Sequence, residues 1–135
     1  MKALLATVLM FAFSTCSADV LALGLKTHHF SSPSYYDKCR KESHDLVALD
    51  RGGYLAGTYI NSHCRRSFLA GGSYAWSNGV GVDVVAVDNY PSKLHLVGGL
   101  VIIPQVTYSQ FWRGYGVKLS FVPGVLVGMG FVYRL

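Results

Sequence analysis

Residues 114–135 read GYGVKLSFVPGVLVGMGFVYRL, and this stretch decides the fold. In its second half, Val125, Val127, Met129, Phe131, Tyr133 and Leu135 fall on one side of an extended chain. Leu126, Gly128, Gly130, Val132 and Arg134 fall on the other. Alternation at period two is the pattern of a β-strand whose two faces meet different surroundings. The preceding segment repeats it, with Tyr115, Val117, Leu119 and Phe121 against Gly116, Lys118 and Ser120. Pro123-Gly124 supplies the turn between them. A soluble barrel would turn the apolar face inward, and a membrane barrel would turn it outward, with the same periodicity. Here the polar face carries glycines and few charges, which makes a poor water-facing surface. The apolar face is therefore expected to meet lipid.

Working outward, a second pair flanks Asn78-Gly79. Phe68, Ala70, Gly72, Tyr74 and Trp76 alternate with Ser67, Leu69, Gly71, Ser73 and Ala75, and Val80, Val82, Val84 and Ala86 alternate with Gly81, Asp83 and Val85. Eight segments follow: 20–30, 45–50, 54–62, 67–77, 79–87, 93–103, 115–122 and 124–135. An even strand number with both termini on one side fits a single-chain barrel. The loops at 31–44, 62–66, 88–92 and 123–124 then share the outer end. Eight strands leave an interior just wide enough for side chains or one slender ligand, so no wide pore is expected.

Composition agrees. The 135 residues are 51% hydrophobic and 14% charged, with 15 glycines, nine tyrosines and seven phenylalanines. Disorder needs more charge and fewer aromatics. A helical bundle needs less Gly and more Glu, and Glu42 is the only Glu. The net charge is +5, but the basic residues form no run, so nucleic acid is not an expected partner.

Residues 1–18 read as a secretory signal peptide: Met1-Lys2, an apolar run over 3–13, then small residues with cleavage after Ala18. The run is too short for a membrane helix, which needs about 20 apolar residues. Phe13-Ser14-Thr15 is a poor match to the small residues that precede a lipid-bearing Cys, which argues against an anchor at Cys16. The mature domain is then 19–135, expected in a bacterial outer membrane. No later stretch is long enough for a membrane helix, so a membrane-embedded mature chain must be a closed barrel. Its two cysteines, Cys39 and Cys64, fall in adjacent outer loops of a chain exported to an oxidising compartment. A disulfide between them is expected, and closing about 25 residues stabilises by roughly 3 kcal/mol. No paired ligand motif for zinc or another metal is present, and no cofactor is implied.

Candidate chemistry lies at the outer rim. His28 and His29 end the first segment, and Asn61, Ser62 and His63 end the third. A His near a hydroxyl can serve acyl transfer. Simple alternation puts His28 with Lys26, Gly24 and Ala22, and His29 with Leu25, Leu23 and Leu21. Asp83 and His95 lie on the small, polar face as expected partners of Lys118 or Arg134.

At these residues the chain resembles the PagP-type lipid A palmitoyltransferases, eight-stranded outer-membrane enzymes. Thr27-His28-His29 stands where that family has Thr-Trp-His, so His29 matches its essential His. Asn61-Ser62 stands for its Asp-Ser, followed by Ala70-Gly71 and Trp76. Gly114-Tyr115-Gly116 leads to Phe121-Val122-Pro123-Gly124 where the family has Gly-Tyr-Gly and then Tyr-Ile-Pro-Gly. The alternating C-terminal strand also resembles the terminal signal of outer-membrane barrels. The family's N-terminal amphipathic helix has no counterpart here, and Asn61 cannot carry the charge of the family's Asp. The resemblance implies a monomeric enzyme acting on phospholipid and lipopolysaccharide. His29 would be the general base on an acceptor hydroxyl, Ser62 its partner, and Asn61 a neutral donor to the acceptor or an oxyanion. Gly81, Gly99, Gly116 and Gly130 would leave room inside for the acyl chain. Two other readings stay open. One is a non-enzymatic surface barrel acting through the loop over 31–44 with Tyr35, Tyr36, Asp37, Lys38, Arg40, Lys41 and Glu42. The other is a soluble secreted carrier of an apolar ligand.

Overall fold

The computed structural model of the chain describes residues 19–30, 42–90 and 98–135. These form β1 (Val20–His29), β2 (Ser43–Arg51), β3 (Tyr54–Ile60), β4 (Arg66–Ala75), β5 (Val80–Val87), β6 (Val101–Trp112), β7 (Tyr115–Val122) and β8 (Leu126–Arg134). Every strand runs antiparallel to its sequence neighbour, and β1 closes on β8. Closure leaves no edge strand among the eight. The chain is thus an eight-stranded antiparallel barrel. The last residues of β1, β3, β5 and β7 lie at one end, called the rim below. Asp19, Leu135 and the turns after β2, β4 and β6 lie at the base, where the Leu135 amide donates to the Asp19 carbonyl at 2.9 Å.

The alternation read in 114–135 sets the two faces. Phe131 is 70% exposed and Tyr115 69%, and Val127, Met129, Leu119 and Phe121 also stand outside. Val122, Val132, Ser67, Ser73, Asp83 and Thr107 are buried inside. The outer wall carries large apolar side chains and the lining is mixed small, polar and aliphatic. At mid-barrel Lys118 Nζ lies 2.6 Å from Asp83 Oδ2, which also accepts from Gln105 Nε2 at 3.0 Å. Removing one partner of a buried pair strands the other charge, so Asp83→Leu should lower unfolding stability by about 3 kcal/mol. Adding Lys118→Met should restore most of it, as read by urea unfolding of the refolded barrel.

The structure corrects the sequence reading at three places. First, β1 does not alternate strictly. Its register shifts between Leu23 and Leu25 against both β2 and β8, and Gly24 has φ +70. An extra residue in the left-handed region, which Gly adopts without strain, is a β-bulge. Past the bulge the faces exchange. Leu23 and Lys26 are both exposed, whereas Thr27 and His29 are buried. His29 therefore does not share a face with Leu21 and Leu23.

Second, the sixth strand is Val101–Trp112, not 93–103. Gly98 and Gly99 both have positive φ and form a turn just before it. The expected segment stops just short of Pro104, yet Pro104 lies within β6 opposite Val84. The β7 ladder begins only at Val106, so Pro104 sits where β6 runs past β7 and no N–H is required on that side.

Third, Gly99 is in that turn and lines nothing. Gly81 and Gly116 do face inward, but a Cβ there would meet a neighbouring strand's carbonyl, that of Tyr74 or Gln110, within 2.6 Å. These two glycines allow close strand approach instead of making room for a ligand. The signal peptide over 1–18, Cys16, Cys39, His95 and the loop residues Tyr35, Tyr36, Asp37, Lys38, Arg40 and Lys41 lie outside the described residues.

Candidate functional site at the rim

The bulge at Gly24 matters because it turns His29 inward at the last position of β1. Ser62 is the second residue after β3, in the turn to β4. The two meet there: His29 Nε2 is 2.9 Å from Ser62 Oγ, and both side chains are buried. Glu42 stands at the entrance to β2. Its Oε1 accepts the His29 backbone N–H at 3.3 Å and lies 3.9 Å from His29 Nδ1. A carboxylate beside Nδ1 favours the tautomer with the proton there, leaving Nε2 to accept from the Ser62 hydroxyl. Glu42 Oε1 is also 3.9 Å from His28 Nδ1, but the His28 side chain is 69% exposed on the outer face and stacks edge-on against Phe30. Of the two adjacent histidines, His29 is the one inside the barrel.

A second inward histidine, His44, packs below. Its Nδ1 is 2.6 Å from the Ile60 carbonyl and its Nε2 is 2.9 Å from Thr27 Oγ1. A carbonyl only accepts, so Nδ1–H donates to it and Nε2 takes the Thr27 hydroxyl proton. The ring stacks edge-on against Tyr59, whose hydroxyl pairs with that of Tyr90 at 2.8 Å. Together these groups form a polar collar under the rim.

Asn61 is placed differently from its expected role. Its side chain is completely buried. Nδ2 donates to Ser67 Oγ at 2.9 Å and to the Asn89 carbonyl at 3.1 Å. Oδ1 accepts the backbone N–H groups of His63 at 2.9 Å and Arg65 at 3.1 Å. All four hydrogen-bonding positions of the amide are used, Oδ1 within the turn and Nδ2 to tie the turn to β4 and to the residues after β5. Asn61 thus holds the loop that presents Ser62, and it does not point at a substrate or an oxyanion.

Below the collar lies a cavity of about 130 Å³, with Ser62 on its wall and Leu46, Leu55, Val85, Ile103 and Val122 among its lining. Its size is comparable with engineered apolar cavities that stay dry and admit benzene. Asp83, Gln105 and Lys118 also border it. A wider space of about 810 Å³ lies toward the base, bordered by Asp50, Ser73, Thr107, Lys118 and Arg134. Lys118 touches both, so the ion pair stands between the two compartments.

Of the residues singled out in the sequence, His29 and Ser62 come together, and Asn61 supports them from behind. Glu42 and His44 were not marked as site residues. Glu42 approaches His29 from across the first rim connection, and no spacing in the sequence reveals that. His44 continues the inward alternation of Leu46, Ala48 and Asp50, a weak signal that only a correct start of β2 makes visible. Among the described residues, no group of three or more His, Cys, Asp or Glu is placed to hold a metal ion. Comparison with known proteins found no matching family model, no matching curated protein and no matching solved structure.

Proposed function

We propose that this chain is a bacterial outer-membrane enzyme that moves an acyl chain from a phospholipid to a hydroxyl of lipid A. The observation that carries the reading is the Ser62–His29 contact of 2.9 Å, on the wall of an apolar cavity in a barrel whose outer face is also apolar. Proton transfer at an acyl carbonyl needs a base next to a hydroxyl, and hydrocarbon substrates need an apolar route to it. The ordered motifs shared with the PagP-type enzymes support the same chemistry. In this reading the leader over 1–18 is removed on export, the rim faces out of the cell, and His29 takes the acceptor proton.

Export also supports a Cys39–Cys64 disulfide, with Cys64 in the Ser62 turn. It would tie the first rim loop to the second and stabilise by about 3 kcal/mol. Reduction with dithiothreitol should lower the urea midpoint accordingly, and an unchanged midpoint would argue against the bond.

The test of the activity is the mass spectrum of lipid A from a Gram-negative host expressing the protein. A gain of one acyl chain is expected. An unchanged spectrum with the barrel inserted would point instead to a non-enzymatic surface protein, and release into the aqueous periplasm would point to a soluble carrier.

A further inference from the structure

Glu42 is the chain's only glutamate, and it lies beside the buried histidine of the rim. Ser62 Oγ, His29 and Glu42 Oε1 form a connected series. The hydroxyl is on Nε2 at 2.9 Å, and the carboxylate is 3.9 Å from Nδ1 and holds the His29 backbone N–H at 3.3 Å. A hydroxyl, a base and a group that orients the base make up an activated nucleophile. Ser62 also borders the cavity, which places its oxygen between His29 and any acyl carbonyl lodged there. The resemblance in the sequence puts an acid at position 61, but Asn61 is neutral and committed to the turn. The structure places the acid on a different strand connection.

We propose that Ser62 is a covalent nucleophile and that Glu42 is the positioning residue for His29, a mechanism that rests on the acyl-transfer reading above. Ser62 Oγ attacks the ester carbonyl of the phospholipid, and its proton passes to His29 Nε2. The carbon–oxygen bond to the glycerol breaks, and the leaving alkoxide takes that proton from His29 as lysophospholipid departs. The acyl group is then an ester of Ser62. An acceptor hydroxyl, of lipid A or of water, attacks this ester and gives its proton to His29. Collapse releases the new ester or the free fatty acid, and the Ser62 oxygen recovers the proton. Glu42 favours the doubly protonated ring that forms in each half.

The probe is a long-chain alkyl fluorophosphonate, which phosphonylates an activated serine with loss of fluoride. It is applied to the refolded full barrel and read by intact mass and peptide mapping. Labelling at Ser62 is expected, with none in Ser62→Ala. Glu42→Gln should slow labelling about 10²-fold, less than the roughly 10⁴-fold effect of a fully buried orienting carboxylate, because Glu42 is partly exposed. Glu42→Asp should keep the rate within about tenfold. Added formate should accelerate Glu42→Ala several-fold, a rescue that a purely structural role would not give. His28→Ala should label at the wild-type rate.

Wild-type labelling of Glu42→Gln, or an unrescued loss in a folded Glu42→Ala barrel, would overturn the role of Glu42. An unlabelled Ser62 in a barrel that still acylates lipid A would overturn the covalent step and leave the transferase reading intact. Ser62 labelling without any change in lipid A would do the reverse.

Discussion

Ser62→Ala and His29→Ala are each expected to reduce lipid A acylation by about 10³-fold or more, the size of effect seen when members of a cooperating catalytic unit are removed. The double variant should be no worse than either single one, because the two side chains act through one hydrogen bond. Neither change should dismantle the barrel. Ser62 lies outside the strands, and His29 sits at the last position of β1. The measurement is the fraction of lipid A carrying the extra chain, beside a cold-gel migration assay for folded barrel. A folded His29→Ala protein with wild-type acylation would remove His29 from the chemistry.

The second large effect is on stability. Asn61→Asp looks like a repair of the site if the sequence is compared with the PagP-type pattern. The geometry argues the opposite. A carboxylate at 61 has no N–H to give Ser67 or the Asn89 carbonyl, and it would place a charge in a side chain with no exposure. The Ser67 hydroxyl cannot readily turn to compensate, because it donates to the Asp88 carbonyl at 2.7 Å. Two lost buried hydrogen bonds, each costing about 1–3 kcal/mol, set an expected destabilisation near 4 kcal/mol. Urea unfolding in detergent micelles would measure it. Acylation by the surviving folded fraction should fall as the Ser62 turn loosens. A variant as stable as wild type and more active would contradict the assignment of Asn61 to the turn.

Which features were legible in the sequence follows from what sets them. In β7 and β8 every second residue meets one surrounding, so Tyr115 to Leu135 could be assigned to faces from spacing alone. The same holds for β4 and β5 around Asn78-Gly79. The Asp83–Lys118 pair could be anticipated because both positions fall on the small, polar face. The bulge at Gly24 could not be, because one glycine among alternating leucines reads the same whether it pairs or is left over. Yet that single residue decides that His29 points inward. The sixth strand could not be placed from spacing, because Pro104 is accommodated within it only by the staggered end of β7, which alternation does not reveal. Glu42 was read only as part of the loop over 31–44, because its approach to His29 is made across the first rim connection. Asn61 was named, but its role depends on the carbonyl of Asn89, a partner remote in the chain.

All of this chemistry presupposes that the apolar outer wall lies in hydrocarbon. The chain carries its own reporters, since its only two tryptophans, Trp76 and Trp112, both face outward at the base, 48% and 60% exposed. Tyr54, Tyr115 and Tyr133 stand outside at the same end, as in the aromatic girdle of a membrane barrel. The direct measurement is tryptophan fluorescence after refolding into vesicles whose lipids carry bromine on the acyl chains. Strong quenching is expected, greatest with bromines near the headgroup and weaker with bromines at the chain ends. Emission that no brominated lipid quenches, with aqueous iodide quenching both residues freely, would contradict the account.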